Sequence, residues 1–194
     1  MKMKKITALF ISAAAATLML ACSKPTAIAE APPYTVRINS MIADWERAKK
    51  FTKAYLDSAD DKSIGYKISD KTPRSFGGQF LHLAEANYGL GAAASGKQAP
   101  VAFGSLTGEQ APTAKTDVTK TVLDSYDFVI AALKDFNDKQ LADTLSVELF
   151  PGFKPTLTRE QMFNKTFEHQ THHRGQATQY LRAQGKTPPE EMLF

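Results

Sequence analysis

Four stretches of the chain repeat apolar residues at spacings of three and four, the pattern of helices that bury one face. Ile38, Ile42, Trp45, Thr52 and Leu56 keep this spacing while Lys49, Lys50 and Lys53 fall elsewhere, predicting a first helix from Val36 to about Ser58 that ends at Asp60-Asp61-Lys62. A linker from Ser63 to Arg74 follows, broken by Gly65 and Pro73, with Tyr66-Lys67-Ile68 suited to an extended segment. Phe76, Phe80, Leu83 and Leu90 predict a second helix from Ser75 to about Ala94, although Gly77-Gly78 near its start costs up to ~1 kcal/mol per glycine relative to alanine. The cleanest stripe is Val118, Val122, Tyr126, Val129, Leu133 and Phe136, a third helix from about Thr116 to Asp138 with Asp117 in the first turn, where negative charge is favoured. Leu145 to Phe150 alternates weakly and predicts a short strand before a turn at Pro151-Gly152. Thr158-Arg159-Glu160-Gln161 has the form of a capping box opening a fourth helix, which runs to about Gln184. Gly185 is placed to stop it, and Pro188-Pro189 prevents its resumption.

The connections decide how these helices assemble. Residues 95–114 form a long link containing Gly96, Pro100, Gly104, Gly108 and Pro112, where antiparallel neighbours need only a few residues. A helix of twenty residues spans ~30 Å, and roughly ten extended residues recross that distance. The link therefore permits the second and third helices to run parallel, as in a crossover bundle, although its length also suits a lid. The expected class is all-α: a four-helix bundle with a long crossover between helices two and three, occupying residues 36–194.

Composition changes the picture mainly at the start of the chain. Met1 to Lys5 carries three lysines, and Ile6 to Ala21 is a mostly apolar, uncharged run too short for a convincing membrane span, the layout of a secretory signal. Met19-Leu20-Ala21-Cys22 resembles a bacterial lipoprotein signal, with Cys22 as the first mature residue and the lipidated one. A rival cut after Ala27-Ile28-Ala29 would release a soluble protein. Cys22 is the single cysteine, so it has no intramolecular disulfide partner, which favours the lipid-anchored reading. Residues 22–35 then read as a tether, rich in proline and small residues. The expected location is outside the inner membrane, as a periplasmic or membrane-anchored lipoprotein. Removing residues 1–21 takes three lysines and no acid from the formal charge of +4, leaving 21 basic against 20 acidic residues. A domain so nearly neutral, with its charges interleaved, has no electrostatic footprint for nucleic acid.

Candidate chemistry concentrates in Thr166–Gln176, which holds three of the four histidines. On a helix His169 and His173 stand at i and i+4 and project from one face, a spacing that lets two imidazoles share one metal ion. His82, in the second helix, is the remaining histidine and the available third ligand. Spacing alone fits equally a polar surface stretch with His172 and His173 in water, and a lone histidine such as His82 is more often a satisfied structural residue. Other chemistries lack their motifs: there is no Glu-x-x-His of a di-iron bundle, no His-Glu-x-x-His, no Cys-x-x-Cys-His and no Gly-x-Ser-x-Gly.

Phe76-Gly77-Gly78-Gln79-Phe80-Leu81-His82-Leu83-Ala84-Glu85-Ala86, together with His169-x-x-x-His173-Arg174-Gly175-Gln176, resembles the DinB-like superfamily of metal-dependent four-helix bundles. The resemblance covers most of the chain from the first helix to Gly185. It implies a divalent metal, zinc or nickel, held by His82, His169 and His173, a bundle that is commonly dimeric, and His172 outside the ligand set, either supporting the ligands from behind or exposed. Some relatives are thiol-dependent transferases or isomerases. Their low-molecular-weight thiols are cytosolic, so the export signal counts against that chemistry here. Three neutral imidazoles with an open fourth position suit metal-assisted hydrolysis or thiolate activation. Gln176 and Glu85, each three residues from a ligand, are candidates to orient the histidines, and Glu85 reads either as a general base or as a surface glutamate. The expectation is a metal-dependent hydrolase or transferase acting on an unidentified small molecule. A non-catalytic metal- or ligand-binding lipoprotein is the alternative.

Overall fold

A computed structural model describes residues 35–149 and 151–194. The expected signal sequence, Cys22 and all of the expected tether except Thr35 lie outside the described residues. The elements are α1 (Thr35–Asp57), α2 (Asp61–Ile64), α3 (Phe76–Ser95), α4 (Lys115–Lys134), α5 (Asp138–Leu141), β1 (Thr144–Ser146), β2 (Thr156–Thr158) and α6 (Arg159–Ala183). None of these helices is long and apolar enough to cross a membrane.

Side-chain registers give the relative directions of the four long helices. Along α3 and α4 the contacts advance together: Asn87 donates to Ser125 and Lys97 pairs with Asp135, so these two helices run parallel. Between α3 and α6 the order reverses, with Gln79 bonded to Tyr180 and the Ala94 carbonyl to Arg159. Likewise α1 is antiparallel to α4, Thr52 meeting Tyr126 and the Ala59 carbonyl meeting Lys115. It is parallel to α6, Arg37 meeting Glu160 and Tyr55 meeting Thr178. Two parallel neighbours, α3 and α4, are thus joined by the long segment between Gly96 and Ala114. This is the crossover bundle expected from the length of that link.

The core forms where the apolar stripes face inward: Trp45 and Leu56 from α1, Phe80 and Leu83 from α3, Tyr126 and Leu133 from α4, Phe163 and Leu181 from α6 are all buried. Trp45 is its aromatic centre, edge-on to Tyr126 at 5.6 Å and to Phe167 at 5.3 Å between ring centroids. The glycine that weakens α3 as an isolated helix is required by packing. A Cβ on Gly77 would lie 2.6 Å from Ile64 Cγ2 and 3.0 Å from the Ile64 carbonyl oxygen, so α2 sits on α3 only because Gly77 has no side chain.

Ends of elements follow local chemistry. Thr158 and Gln161 form the reciprocal capping box, Thr158 Oγ1 accepting from Gln161 N at 3.1 Å and Gln161 Oε1 from Thr158 N at 2.9 Å. Gly185, at φ +70°, closes α6 with Lys186 N donating to the Leu181 carbonyl. Other expectations needed correction. The third long helix stops at Lys134 rather than Asp138, because Asn137 caps a new short helix through Gln140. That leaves buried Asp138 to accept from the backbone N–H groups of Arg37 and Ile38 at the start of α1. Tyr66-Lys67-Ile68 form no strand. The short strand is Thr144–Ser146, and its antiparallel partner is Thr156–Thr158 across the turn.

Candidate metal centre

Because α3 and α6 pack antiparallel, His82 comes to lie opposite the i, i+4 pair on α6. One nitrogen from each of His82, His169 and His173 lies within 4.8 Å of the others. Ring centroids are separated by 5.1 Å for His82–His169, 4.6 Å for His82–His173 and 4.4 Å for His169–His173. The planes are steeply inclined, at 62°, 87° and 53° respectively, so ring edges converge instead of stacking. His173 is buried at 7% exposure, while His82 and His169 are half-buried. His172 is exposed and stands outside the triad, its ring 4.9 Å from that of His173.

A chain of three hydrogen bonds fixes the chemistry of His173. The Tyr180 hydroxyl donates to the Arg74 carbonyl at 2.8 Å, using its single proton. Its oxygen therefore accepts from the Gln79 amide nitrogen, 3.1 Å away, which sets the orientation of that amide. Gln79 Oε1 is left facing His173 Nδ1 at 2.8 Å, and since Oε1 only accepts, Nδ1 carries the proton. The lone pair of His173 then resides on Nε2, free for a ligand. This is the outer-shell arrangement that orients metal-binding histidines.

Gln176 does not take this part. It is exposed and makes no hydrogen bond to the histidines, being on the same helix as His173 but facing away. Glu85 is not a surface residue. It is 4% exposed, and its two oxygens accept from Leu106 N at 3.3 Å and Thr107 Oγ1 at 3.2 Å, pinning the crossover to α3. Gln79 and Tyr180 were present in the sequence, Gln79 within the quoted motif and three residues before His82. Their role emerges only from the antiparallel register of α3 and α6.

The triad keeps its histidines neutral. Burial is the first cause for all three: together with the neighbouring imidazoles and Arg74 it takes His169 down to about 4 and His173 to about 3, and together with Arg74 it lowers His82. Glu85 opposes the shift at His82. Neutral imidazole is the ligand form. The donor set also fits a cation by what it leaves unsatisfied. His169 Nδ1 is buried with no hydrogen-bond partner among the described residues. Buried ring nitrogens are ordinarily paired. Three imidazoles with no fourth protein ligand among the described residues form an open donor set, the catalytic kind, in contrast to the closed four-ligand structural kind.

Fold and site together define a crossover four-helix bundle with a three-histidine metal-binding cluster on two antiparallel helices. The chain belongs to the DinB superfamily, whose family model matches residues 27–177. Among solved structures it is similar to a DinB-like protein from Bacillus cereus, at 22% identity and a TM-score of 0.63 over 79% of this chain and 97% of that one. It is also similar to a DinB-like protein from Bacillus subtilis, at 17% identity and a TM-score of 0.59 over 80% of this chain and 97% of that one. A comparison with curated proteins found no match.

Proposed function

We propose that the protein is a metal-dependent hydrolase or transferase acting on a small molecule. In this reading His82, His169 and His173 hold one zinc or nickel ion, both of which suit imidazole ligands. The observation that carries it is the convergence of three neutral histidines with His173 Nδ1 tied to Gln79 and its other nitrogen free. A divalent ion held there supplies Lewis acidity, polarising a substrate oxygen or lowering the pKa of a water molecule toward ~7. The chain's own contributions are distinct. Gln79 holds a proton on His173 Nδ1, Tyr180 fixes Gln79, and burial suppresses protonation of all three rings. The half-exposed His82 and His169 leave the cluster reachable from solvent. A non-catalytic metal-binding protein is the second reading, and one observation favours it: Glu85, the candidate base three residues from His82, is committed to the crossover.

Elemental analysis of the purified chain tests the site, with His82→Ala and His173→Ala alongside. Near-stoichiometric metal in the wild type, lost in both variants, is the expected result; negligible metal in all three would reject the site. Metal-dependent hydrolysis of activated carboxylic and phosphate esters then separates enzyme from binder. We further propose export and anchoring through Cys22, supported by the basic, apolar and Met19-Leu20-Ala21-Cys22 segments in succession. Cys22→Ala should move the protein from the membrane fraction to the soluble one, and unchanged fractionation would reject the anchor.

A further inference from the structure

A cavity of about 260 Å³ opens between the end of α2, the first turns of α3 and the crossover. Its walls are largely apolar, with Ile64, Leu81, Leu106, Ala111 and Pro112 among them. Gly78 and Leu81 line it from α3, one turn before and one residue before His82, so the same stretch of helix serves cavity and cluster. The crossover wall is fixed in place by Glu85, which holds Leu106 and Thr107. One cationic side chain lines the cavity: Arg74. It forms no ion pair and no side-chain hydrogen bond among the described residues. Its backbone is anchored, the carbonyl accepting from Tyr180, and its charge reaches all three histidines.

We infer that this cavity is the substrate pocket and that Arg74 selects a small molecule with an apolar body and one carboxylate or phosphate group. Guanidinium recognises both oxyanions through paired N–H donors. The pocket is smaller than the roughly 300–1,000 Å³ of drug-sized sites, so the body is short. A ligand whose acid meets Arg74 has its remaining groups beside Gly78 and Leu81, within one turn of His82 along α3. The inference rests on the metal-enzyme reading for its chemistry, but the pocket can be tested without turnover.

The probes are hexanoate, hexyl phosphate and the uncharged hexanamide, titrated into the zinc-loaded chain and followed by backbone amide shifts, with zinc content measured on each sample. Expected are shifts at Gly78, Leu81 and Leu106, with at least one acid binding tenfold or more tighter than the amide. Arg74→Gln should lower acid affinity tenfold or more while leaving amide affinity and zinc content unchanged, and Arg74→Lys should recover part of the loss. Thr113→Trp, at an exposed wall position, should weaken all probes by filling the cavity. Equal affinity for acid and amide, or acid binding indifferent to Arg74→Gln, would overturn the inference. Acid discrimination in a chain that takes up no zinc would support the pocket and defeat the metal reading separately.

Discussion

Helix α6 buries two polar clusters a few residues apart, and they differ in what they leave unsatisfied. Toward α1 and α4 it presents Gln170 and Arg174. Gln170 Oε1 accepts from Tyr126 Oη and from Arg174 Nη1, each at 2.8 Å, and the Tyr126 hydroxyl also meets Thr52 at 2.7 Å. Gln170 Nε2 donates to Thr171 Oγ1, Arg174 reaches the Ala48 carbonyl, and its guanidinium lies 4.6 Å from the Phe51 ring centroid. Burial raises Tyr126 to about 12, so its phenol stays protonated and donating. This cluster is complete within the protein. Toward α3 the same helix presents His169 and His173, where His169 Nδ1 has no partner. A self-satisfied network specifies packing. An unsatisfied one marks a place for something the polypeptide does not supply.

Substitutions on the two faces should therefore fail differently. The largest effect is expected from His173→Ala, which should weaken zinc binding by more than ~100-fold, beyond the cost of losing an outer-shell partner. The metal-free fold should be destabilised only by about 1–2 kcal/mol, since one Gln79 acceptor loses its donor. Calorimetric zinc titration and urea unfolding of the same samples check both halves. Gln170→Ala reverses the pattern: removing the shared acceptor strands Tyr126 and Arg174, for a loss of about 2–4 kcal/mol in unfolding free energy with zinc stoichiometry retained. If Gln170→Ala abolished zinc binding in a folded protein, the two faces would not be separable.

Smaller effects sharpen the account of the histidine face. Gln79→Leu should lower zinc affinity roughly 10–100-fold, and Gln79→Glu, which keeps an acceptor on His173 Nδ1, should restore much of it. The weakest expected effect concerns pH. His169 and His173 have folded values near 4 and 3, below the ordinary 6.5, so between these limits the unfolded chain binds more protons. Stability of the metal-free protein should accordingly be level above about pH 6.5 and fall as pH drops from there toward 4. Asp60, held below the usual carboxylate range chiefly by Lys186 and Ser63, enters only at lower pH. Urea midpoints at pH 7 and pH 5 measure this, and a His169→Gln/His173→Gln variant should show a flatter profile.

Much of the bundle was legible because it is written within single helices. The stripe from Val118 to Leu133, the Thr158 capping box and the Gly185 stop each depend on residues a few positions apart. The length of the 95–114 link permits a crossover and a lid alike, and the register of α3 against α4 decides for the crossover. The end of α4 was not legible, because Phe136 continues the apolar spacing while Asn137 takes its cap one residue later. At the site, His169 and His173 were visible as an i, i+4 pair, and the family pattern supplied His82. The partner of His173 was sought on its own helix, at Gln176, and lies on another, at Gln79. Glu85 read as base or surface because nothing near it in sequence shows that Leu106 and Thr107, twenty-one and twenty-two residues later, return to hold it. Relations between helices depend on register, which no single periodicity contains.

The central claim is that one metal ion binds all three histidines. X-ray absorption at the zinc edge on the zinc-loaded chain tests it most directly. The account predicts three imidazole nitrogens at ~2.0–2.1 Å with an open position filled by a lighter ligand, and a changed shell in His82→Ala. A shell with fewer than three imidazoles, or one unaltered by His82→Ala, would contradict it.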